Sequence, residues 1–192
     1  MAELSSLVLA AILSLAKGPA AREPERMKSI ADDIVHAVQA HDKKVFQGDA
    51  GELATSLMLV AIAKHESEFL AKVDDCSRKG DLGRSITIFQ LLRGPNWAGH
   101  EGREICDDRK LAAKLAIDLL ARPLLRGARA TPQMIANAYA TGSPGMGNTA
   151  SRDICKLWEG LARDAGLARA SCGAARELSL EASPSSTATA RR

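Results

Sequence analysis

The segment Glu52–Phe69, which reads ELATSLMLVAIAKHESEF, is the most informative part of this 192-residue sequence. Its apolar residues recur at i, i+4, i+7 and i+8 from Leu53, and residues 56–63 are apolar nearly all round, which is typical of a helix buried inside a domain. The stretch then ends in four polar residues, Lys64, His65, Glu66 and Glu68. We therefore predict a buried central helix that brings polar groups to its C-terminal end, an arrangement suited to an active site.

Helical patterns on both sides of this stretch predict four further helices. Two of them begin at Glu25 and Thr131, and the other two cover about 107–122 and 150–165. The ends of these segments carry proline, glycine or a capping threonine, which are the usual boundary residues of helices. The scarcity of aromatic residues, 3% of the chain, also favours a helical core built from alanine and aliphatic side chains.

One segment departs from the helical pattern. Residues 85–89 read SITIF and alternate like a strand, after turn residues at Gly80, Asp81 and Gly83. The fold class is therefore mainly α, with a small β-insert. We expect an N-terminal apolar segment at 1–24, one domain at 25–172, and a disordered tail at 173–192, where almost nothing can be buried.

Composition and charge limit the possible partners. Hydrophobic residues make up 46% and charged residues 26% of the chain, as in soluble globular proteins. The net charge of +3 is too weak to indicate nucleic acid, and no nucleic-acid partner is expected. A mildly basic surface is compatible with an anionic polymer such as a bacterial cell wall.

The N-terminus is open to two interpretations. The apolar run Leu7–Leu15, followed by Gly18-Pro19-Ala20, is similar to a secretory signal, but the first six residues carry Glu3 and no Lys or Arg. The run is too short to span a bilayer, so no stable membrane insertion is expected. We favour a first core helix over a cleaved signal.

The four cysteines allow two disulfides or buried free thiols. Full oxidation would permit three pairings of Cys76, Cys106, Cys155 and Cys172. The CxxC spacing typical of zinc ligands is missing from the sequence. We favour two disulfides in an extracytoplasmic protein, periplasmic or secreted.

Glu66 is the candidate for acid–base chemistry. A carboxyl at the end of an apolar helix is partly desolvated and lies at the negative end of the helix dipole, and both effects raise its pKa. A metalloprotease motif would need a second histidine where Phe69 stands. Neither a nucleophile elbow nor a phosphate-binding loop occurs. The sequence thus implies no metal ion and no organic cofactor.

Three short blocks, ESEF at 66–69, GRSITIFQ at 83–90 and NAYATG at 137–142, resemble sequence blocks of the lytic transglycosylases and goose-type lysozymes. Residues 66–69, ESEF, are similar to the Glu-Ser-x-Phe signature of that family. Residues 83–90, GRSITIFQ, resemble its second block, and residues 137–142, NAYATG, resemble its third, Ala-Tyr-Asn-x-Gly. The blocks occur in the family's order, and the resemblance implies a lysozyme-like fold with the β-insert near the active-site cleft.

The resemblance also implies an activity and residue roles. Glu66 would be the catalytic acid and base, Ser85 and Gln90 would line the cleft and hold N-acetyl sugars, and Tyr139 would hydrogen-bond Glu66. The substrate would be the peptidoglycan glycan strand, cut at the β-1,4 bond between N-acetylmuramic acid and N-acetylglucosamine. We expect a monomer that acts outside the cytoplasm or is phage-associated.

Two positions depart from the family pattern, and one cysteine pair brackets the second block. Thr87 stands where the family has glycine, so its side chain is expected to narrow the cleft. Ala140 stands where the family has asparagine, which removes a polar substrate contact. Cys76 and Cys106 flank the second block, and we predict that they are bonded and brace that side of the cleft.

The product depends on whether a second carboxylate reaches Glu66. Glu68 should point away from it on the helix, and the candidates Asp75 and Asp81 lie in a polar loop. We therefore favour a transglycosylase, which needs one acid, over a muramidase that uses Asp75 or Asp81. The sequence also leaves room for an inactive lysozyme-like domain that binds peptidoglycan or has a structural role, and for a helical interaction protein with chance motif matches.

Overall fold

A computed structural model describes residues 2–122, 124 and 130–173. Within those residues it has eight α-helices and one two-stranded antiparallel sheet, which confirms the predicted mainly α fold with a small β-insert. The helices are α1 (Ala2–Leu15), α2 (Pro24–Ala40), α3 (Gly51–Ser67), α4 (Ala71–Asp74), α5 (Gly102–Asp107), α6 (Arg109–Ala121), α7 (Pro132–Thr141) and α8 (Thr149–Asp164), and the strands are β1 (Ser85–Ile86) and β2 (Leu91–Leu92). The predicted tail at 173–192 lies outside the described residues, except for Gly173.

Helix α3 is the centre of the core, as its sequence predicts. Thirteen of its 17 residues are buried, and it contacts α1, α2, α6 and α8. Trp158 of α8 is fully buried, donates its indole N–H to the Ala54 oxygen of α3 at 3.0 Å, and stacks on Phe46 at 5.1 Å. The central helix is therefore held on several sides, and its C-terminal end has a fixed position.

The N-terminal apolar segment forms helix α1. Val8 and Ile12 are fully buried, and the Ser5 hydroxyl donates a hydrogen bond to Asp32 of α2. Leu7 and Leu13 remain partly exposed on the outer side. Among the described residues, no helix combines the length and hydropathy needed to cross a membrane.

The β-insert is shorter than predicted. The expected strand at 85–89 ends at Ile86, and β1 pairs with β2 in the register Ser85 with Leu92 and Ile86 with Leu91. Residues 87–90 instead form the connecting turn, in which the Gln90 N–H donates to the Thr87 oxygen at 3.0 Å. Ile88 and Phe89 are both buried, so the alternating letters reflect a turn folded into the core rather than a strand.

The helix expected at about 107–122 is α6 (Arg109–Ala121), which begins directly after Asp108. The Asp108 carboxylate accepts hydrogen bonds from the N–H groups of Lys110 and Leu111, at 2.9 and 3.1 Å, and so caps α6. The preceding segment forms the separate short helix α5, which the sequence pattern does not predict. The cap satisfies main-chain donors that a helix start otherwise leaves unpaired.

Two disulfides join the four cysteines. Cys76 is bonded to Cys106, as predicted, and Cys155 is bonded to Cys172. The first bond connects the segment after α4 with α5, and the second ties the chain after α8 back to that helix. Two disulfides are compatible with an extracytoplasmic protein.

Candidate functional site

The end of helix α3 is shaped by the two residues that follow Glu66 and by the buried Phe69. Ser67 donates to the Ala63 oxygen at 2.6 Å and accepts from the Phe69 N–H at 3.2 Å. Glu68 and Phe69 both adopt positive φ, 51° and 58°, and Phe69 is fully buried. The chain therefore turns sharply after Glu66, and the serine and phenylalanine of the block serve to hold that turn.

Glu66 itself lies at the boundary between core and solvent. Its side chain is 24% exposed, and His65 Nδ1 lies 3.4 Å from its Oε1. Burial raises the pKa of Glu66, His65 opposes this shift, and the charge of Asp81 adds to it. The net direction is upward, as expected from the sequence, so this carboxyl retains its proton to higher pH than an ordinary glutamate and can act as a general acid.

The loop before β1 brings Asp81 and Ser85 beside one another. The buried Ser85 hydroxyl donates a hydrogen bond to the Asp81 carboxylate. The main chains of Ser85 and Gly80 exchange two hydrogen bonds, of 3.0 and 3.2 Å. Asp81 adopts positive φ, 46°, a backbone state uncommon for residues other than glycine. This hydrogen bonding holds Asp81 close enough to influence Glu66.

Gln90 occupies a position that depends on a glycine. Its side-chain N–H donates to the Thr87 oxygen at 3.0 Å, and its Oε1 lies where a side chain on residue 80 would begin. A Cβ at Gly80 would be only 1.9 Å from that oxygen. Gly80 is therefore needed for close approach of Gln90, not for an unusual backbone angle, since its φ is −85°.

Tyr139 of α7 does not make the predicted hydrogen bond to Glu66. Its hydroxyl donates to the main-chain oxygen of Phe89, and a phenol has only one proton to donate. Burial and the charge of Glu66 raise the pKa of Tyr139 well above its ordinary value, so the hydroxyl remains protonated. Tyr139 thus links α7 to the turn of the hairpin and lies near Glu66 without bonding to it.

One cleft of about 550 Å³ collects residues from all three sequence blocks. Glu66, Ser85, Gln90 and Tyr139 line it together, and Asp81 lines it as well. Ala140 also faces this cleft, and as an alanine it supplies no polar side chain there. The residues that the sequence predicts for the site, apart from Asp75, are therefore neighbours in the fold.

Two positions considered in the sequence analysis, Asp75 and Thr87, do not line the Glu66 cleft. Asp75 lies on a different cleft, is exposed, and accepts the Ser77 N–H at 2.9 Å, a bond that lowers its pKa. The structure therefore does not bring Asp75 together with the other predicted site residues. Thr87 does not narrow the Glu66 cleft, because its side chain is buried and borders that other cleft. Its φ of 66° nevertheless explains why glycine would suit this position.

Two polar residues that line the cleft were missed in the sequence analysis. Arg122 and Asn96 line the Glu66 cleft, and the Arg122 guanidinium donates to Asn96 Oδ1 at 3.0 Å. The buried Asn137 donates to the Pro144 oxygen at 3.0 Å and so fixes the loop after α7. Arg122 follows the end of α6 and Asn96 lies in a 3-10 turn (Pro95–Trp97), 26 residues apart, and no sequence spacing indicated that they meet.

Comparisons of the chain with protein-family models, curated proteins and solved structures found no match. Among the described residues, no group of three or more His, Cys, Asp or Glu side chains is arranged to hold a metal ion. The chemistry of the cleft itself is therefore the basis for assigning a function.

Proposed function

We propose that this protein cleaves the glycan strands of peptidoglycan, with Glu66 as general acid and base. The observation that carries the proposal is the convergence of Glu66, Ser85, Gln90 and Tyr139 on one cleft from three separate parts of the chain. The upward shift in the pKa of Glu66 suits a carboxyl that must protonate a glycosidic oxygen. The buried central helix with a small β-insert beside its end is consistent with a lysozyme-like fold.

The substrate in this proposal is the β-1,4 bond between N-acetylmuramic acid and N-acetylglucosamine. Gln90 and Ser85 supply amide and hydroxyl groups of the kind that bind acetamido sugars, while Tyr139 fixes the hairpin turn that carries Gln90. Two disulfides fit action outside the cytoplasm, where peptidoglycan is found. We further propose that the protein works as a monomer, without a metal ion or organic cofactor.

The preferred reaction is that of a lytic transglycosylase. In that reaction the substrate's own acetamido and 6-hydroxyl groups complete the displacement, and Glu66 first donates and then accepts the proton. The structure also gives one specific reason to consider a muramidase, because Asp81 lines the same cleft and its charge acts on Glu66. A carboxylate in that position could activate water. Asp81 is, however, exposed and already accepts the Ser85 hydroxyl.

The released sugars distinguish the two reactions. We expect digestion of purified peptidoglycan to give anhydro-muramyl products, which are lighter than reducing ends by one water and are resolved by mass spectrometry. Asp81→Asn should keep most of this activity, because the amide oxygen can still accept the Ser85 hydroxyl. Reducing ends alone, together with loss of activity in Asp81→Asn, would instead identify a muramidase. Failure to release any sugar would reject both.

A glycine substitution tests the position of Gln90. Gly80→Ala should displace the flexible Gln90 side chain, because the new Cβ would lie 1.9 Å from its Oε1, while the fold is retained. If Gln90 holds the substrate, cleavage should fall about tenfold, the range for loss of one neutral hydrogen bond. Gln90→Ala should match this loss, and the double variant should lose no more. Additive losses in initial-rate assays would show that Gly80 acts in another way.

A further inference from the structure

Arg122 is a positive charge in the Glu66 cleft that the proposed reaction does not use. It caps the C-terminal end of α6, is half-buried, and donates one of its five N–H groups to Asn96 Oδ1 at 3.0 Å. Within the described part of the chain it forms no ion pair. Residues 119–152, which include Arg122, contain no Asp or Glu.

The groups described around Arg122 orient its guanidinium but do not neutralise its positive charge. Asn96 accepts one N–H and so orients the planar group, and among the described residues the other guanidinium donors have no side-chain partner. The negative end of the α6 dipole stabilises a cation there without offering a carboxylate. A half-buried guanidinium with open donors is suited to bind a carboxylate through two parallel hydrogen bonds.

Arg122 is also separate from the catalytic carboxyl. The charged neighbours that shift the pKa of Glu66 are His65 and Asp81. Arg122 lines the same cleft as Glu66, where it is placed to meet a bound molecule. It comes from the α6 end of the cleft, whereas Glu66 comes from the end of α3 and Asp81 from the loop before β1.

We infer that Arg122, oriented by Asn96, is a carboxylate-binding site that makes the cleft selective for anionic glycans over neutral ones. The inference rests on the proposed function for the identity of the glycan. Two carboxylates share the required chemistry. One is the lactyl carboxylate of a muramic acid without peptide, and the other belongs to a peptide attached to it.

A binding experiment tests this inference without cleavage. Glu66→Gln protein is titrated calorimetrically with three tetrasaccharides: peptide-free muramic acid–glucosamine, the same glycan with peptides, and uncharged N-acetylglucosamine. We expect an anionic glycan to bind about 10- to 100-fold more tightly than the neutral one, as for a charge-assisted hydrogen bond. Preference for the peptide-free glycan identifies the lactyl carboxylate as the ligand, and preference for the peptide-bearing glycan identifies the peptide.

Adding Arg122→Gln to the Glu66→Gln protein should abolish the preference for the anionic glycan. The affinity for the neutral glycan should stay unchanged. Asn96→Ala keeps the charge but loses the orienting oxygen, so it should reduce the preference about three- to tenfold. Arg152→Gln is the matched control, since Arg152 is exposed on α8 and its guanidinium donates to the Thr149 hydroxyl of the same helix. Asn96→Ala also provides a test if Arg122→Gln does not fold.

Several results would overturn the inference: equal binding of charged and neutral glycans, no binding of either, or equal weakening of all three by Arg122→Gln. The proposed function fails separately. If wild-type protein released no sugar from peptidoglycan but kept an Arg122-dependent preference for the anionic glycan, the cleavage reaction would be rejected and the carboxylate site retained.

Discussion

Glu66→Gln is expected to abolish peptidoglycan cleavage while the fold remains intact. The amide has nearly the same shape as the carboxyl but cannot transfer a proton, and general acid catalysis contributes about 10²- to 10⁴-fold to a rate. Release of soluble sugars from purified peptidoglycan measures the effect. In the wild type, activity should also fall as pH rises through the raised pKa of Glu66, because the acid must begin the reaction protonated.

Glu68→Gln is the matched control for this variant. Glu68 is two residues away and has the same side chain, but it is exposed and forms the cap at the end of α3. It does not line the cleft shared by Glu66, Ser85 and Gln90. Its variant should keep near wild-type activity. Full activity in Glu66→Gln combined with loss in Glu68→Gln would show that the wrong glutamate had been chosen.

Thermal unfolding would test whether Glu66→Gln is folded. The effect of the substitution on stability should also depend on pH, with a defined sign. Burial raises the pKa of Glu66 in the folded protein above its ordinary value of 4.5. Below that value the carboxyl is neutral in both the folded and the unfolded protein, so it adds no pH dependence to the free energy of unfolding. As pH rises through the folded pKa, ionisation of the partly desolvated carboxyl lowers wild-type stability. Glu66→Gln should therefore become the more stable protein at neutral pH.

The central part of the fold could be predicted because its signals are local. The switch from apolar to charged residues inside Glu52–Phe69 identifies both the buried helix and the end that faces the cleft. Thr131 and Pro132 likewise mark the start of α7, where the Thr131 hydroxyl accepts the Met134 N–H at 3.3 Å. Such signals need only a few neighbouring residues, so one sequence suffices to recognise them.

Features that depend on distant contacts could not be predicted in the same way. The alternation at 85–89 indicates a strand, but tertiary packing buries Ile88 and Phe89 together in a turn. The Tyr139 hydroxyl donates to the Phe89 main-chain oxygen, 50 residues away. Every residue has such an oxygen, so the residue types in the sequence do not identify the acceptor. Arg122 joins the cleft only because α6 ends there. In each case the packing of the helices, and not the local sequence pattern, determines which residues come into contact.

Arg109→Met is expected to cause a large loss of stability. Arg109 makes two hydrogen bonds to the Asp74 carboxylate, at 2.9 and 2.8 Å, and also pairs with Asp33, so it connects α6 to α4 and α2. Asp74 is only 7% exposed in its side chain and Asp33 is 18% exposed. Removing one partner from a buried ion pair costs about 3–5 kcal/mol, because the remaining charges are left uncompensated.

The effect should lie near the lower end of that range, because Arg26 still reaches Asp74 at 3.3 Å. Arg103→Met is the matched control, since Arg103 pairs with Asp107 on an exposed helix face where such pairs contribute little. Urea unfolding gives both free energies. Adding Asp74→Asn to Arg109→Met should restore part of the loss, because it removes the unpaired charge. Equal destabilisation by Arg109→Met and Arg103→Met would mean that the network does not hold these helices together. Because Arg26 also donates to the Phe69 oxygen, the network fixes the turn that follows Glu66.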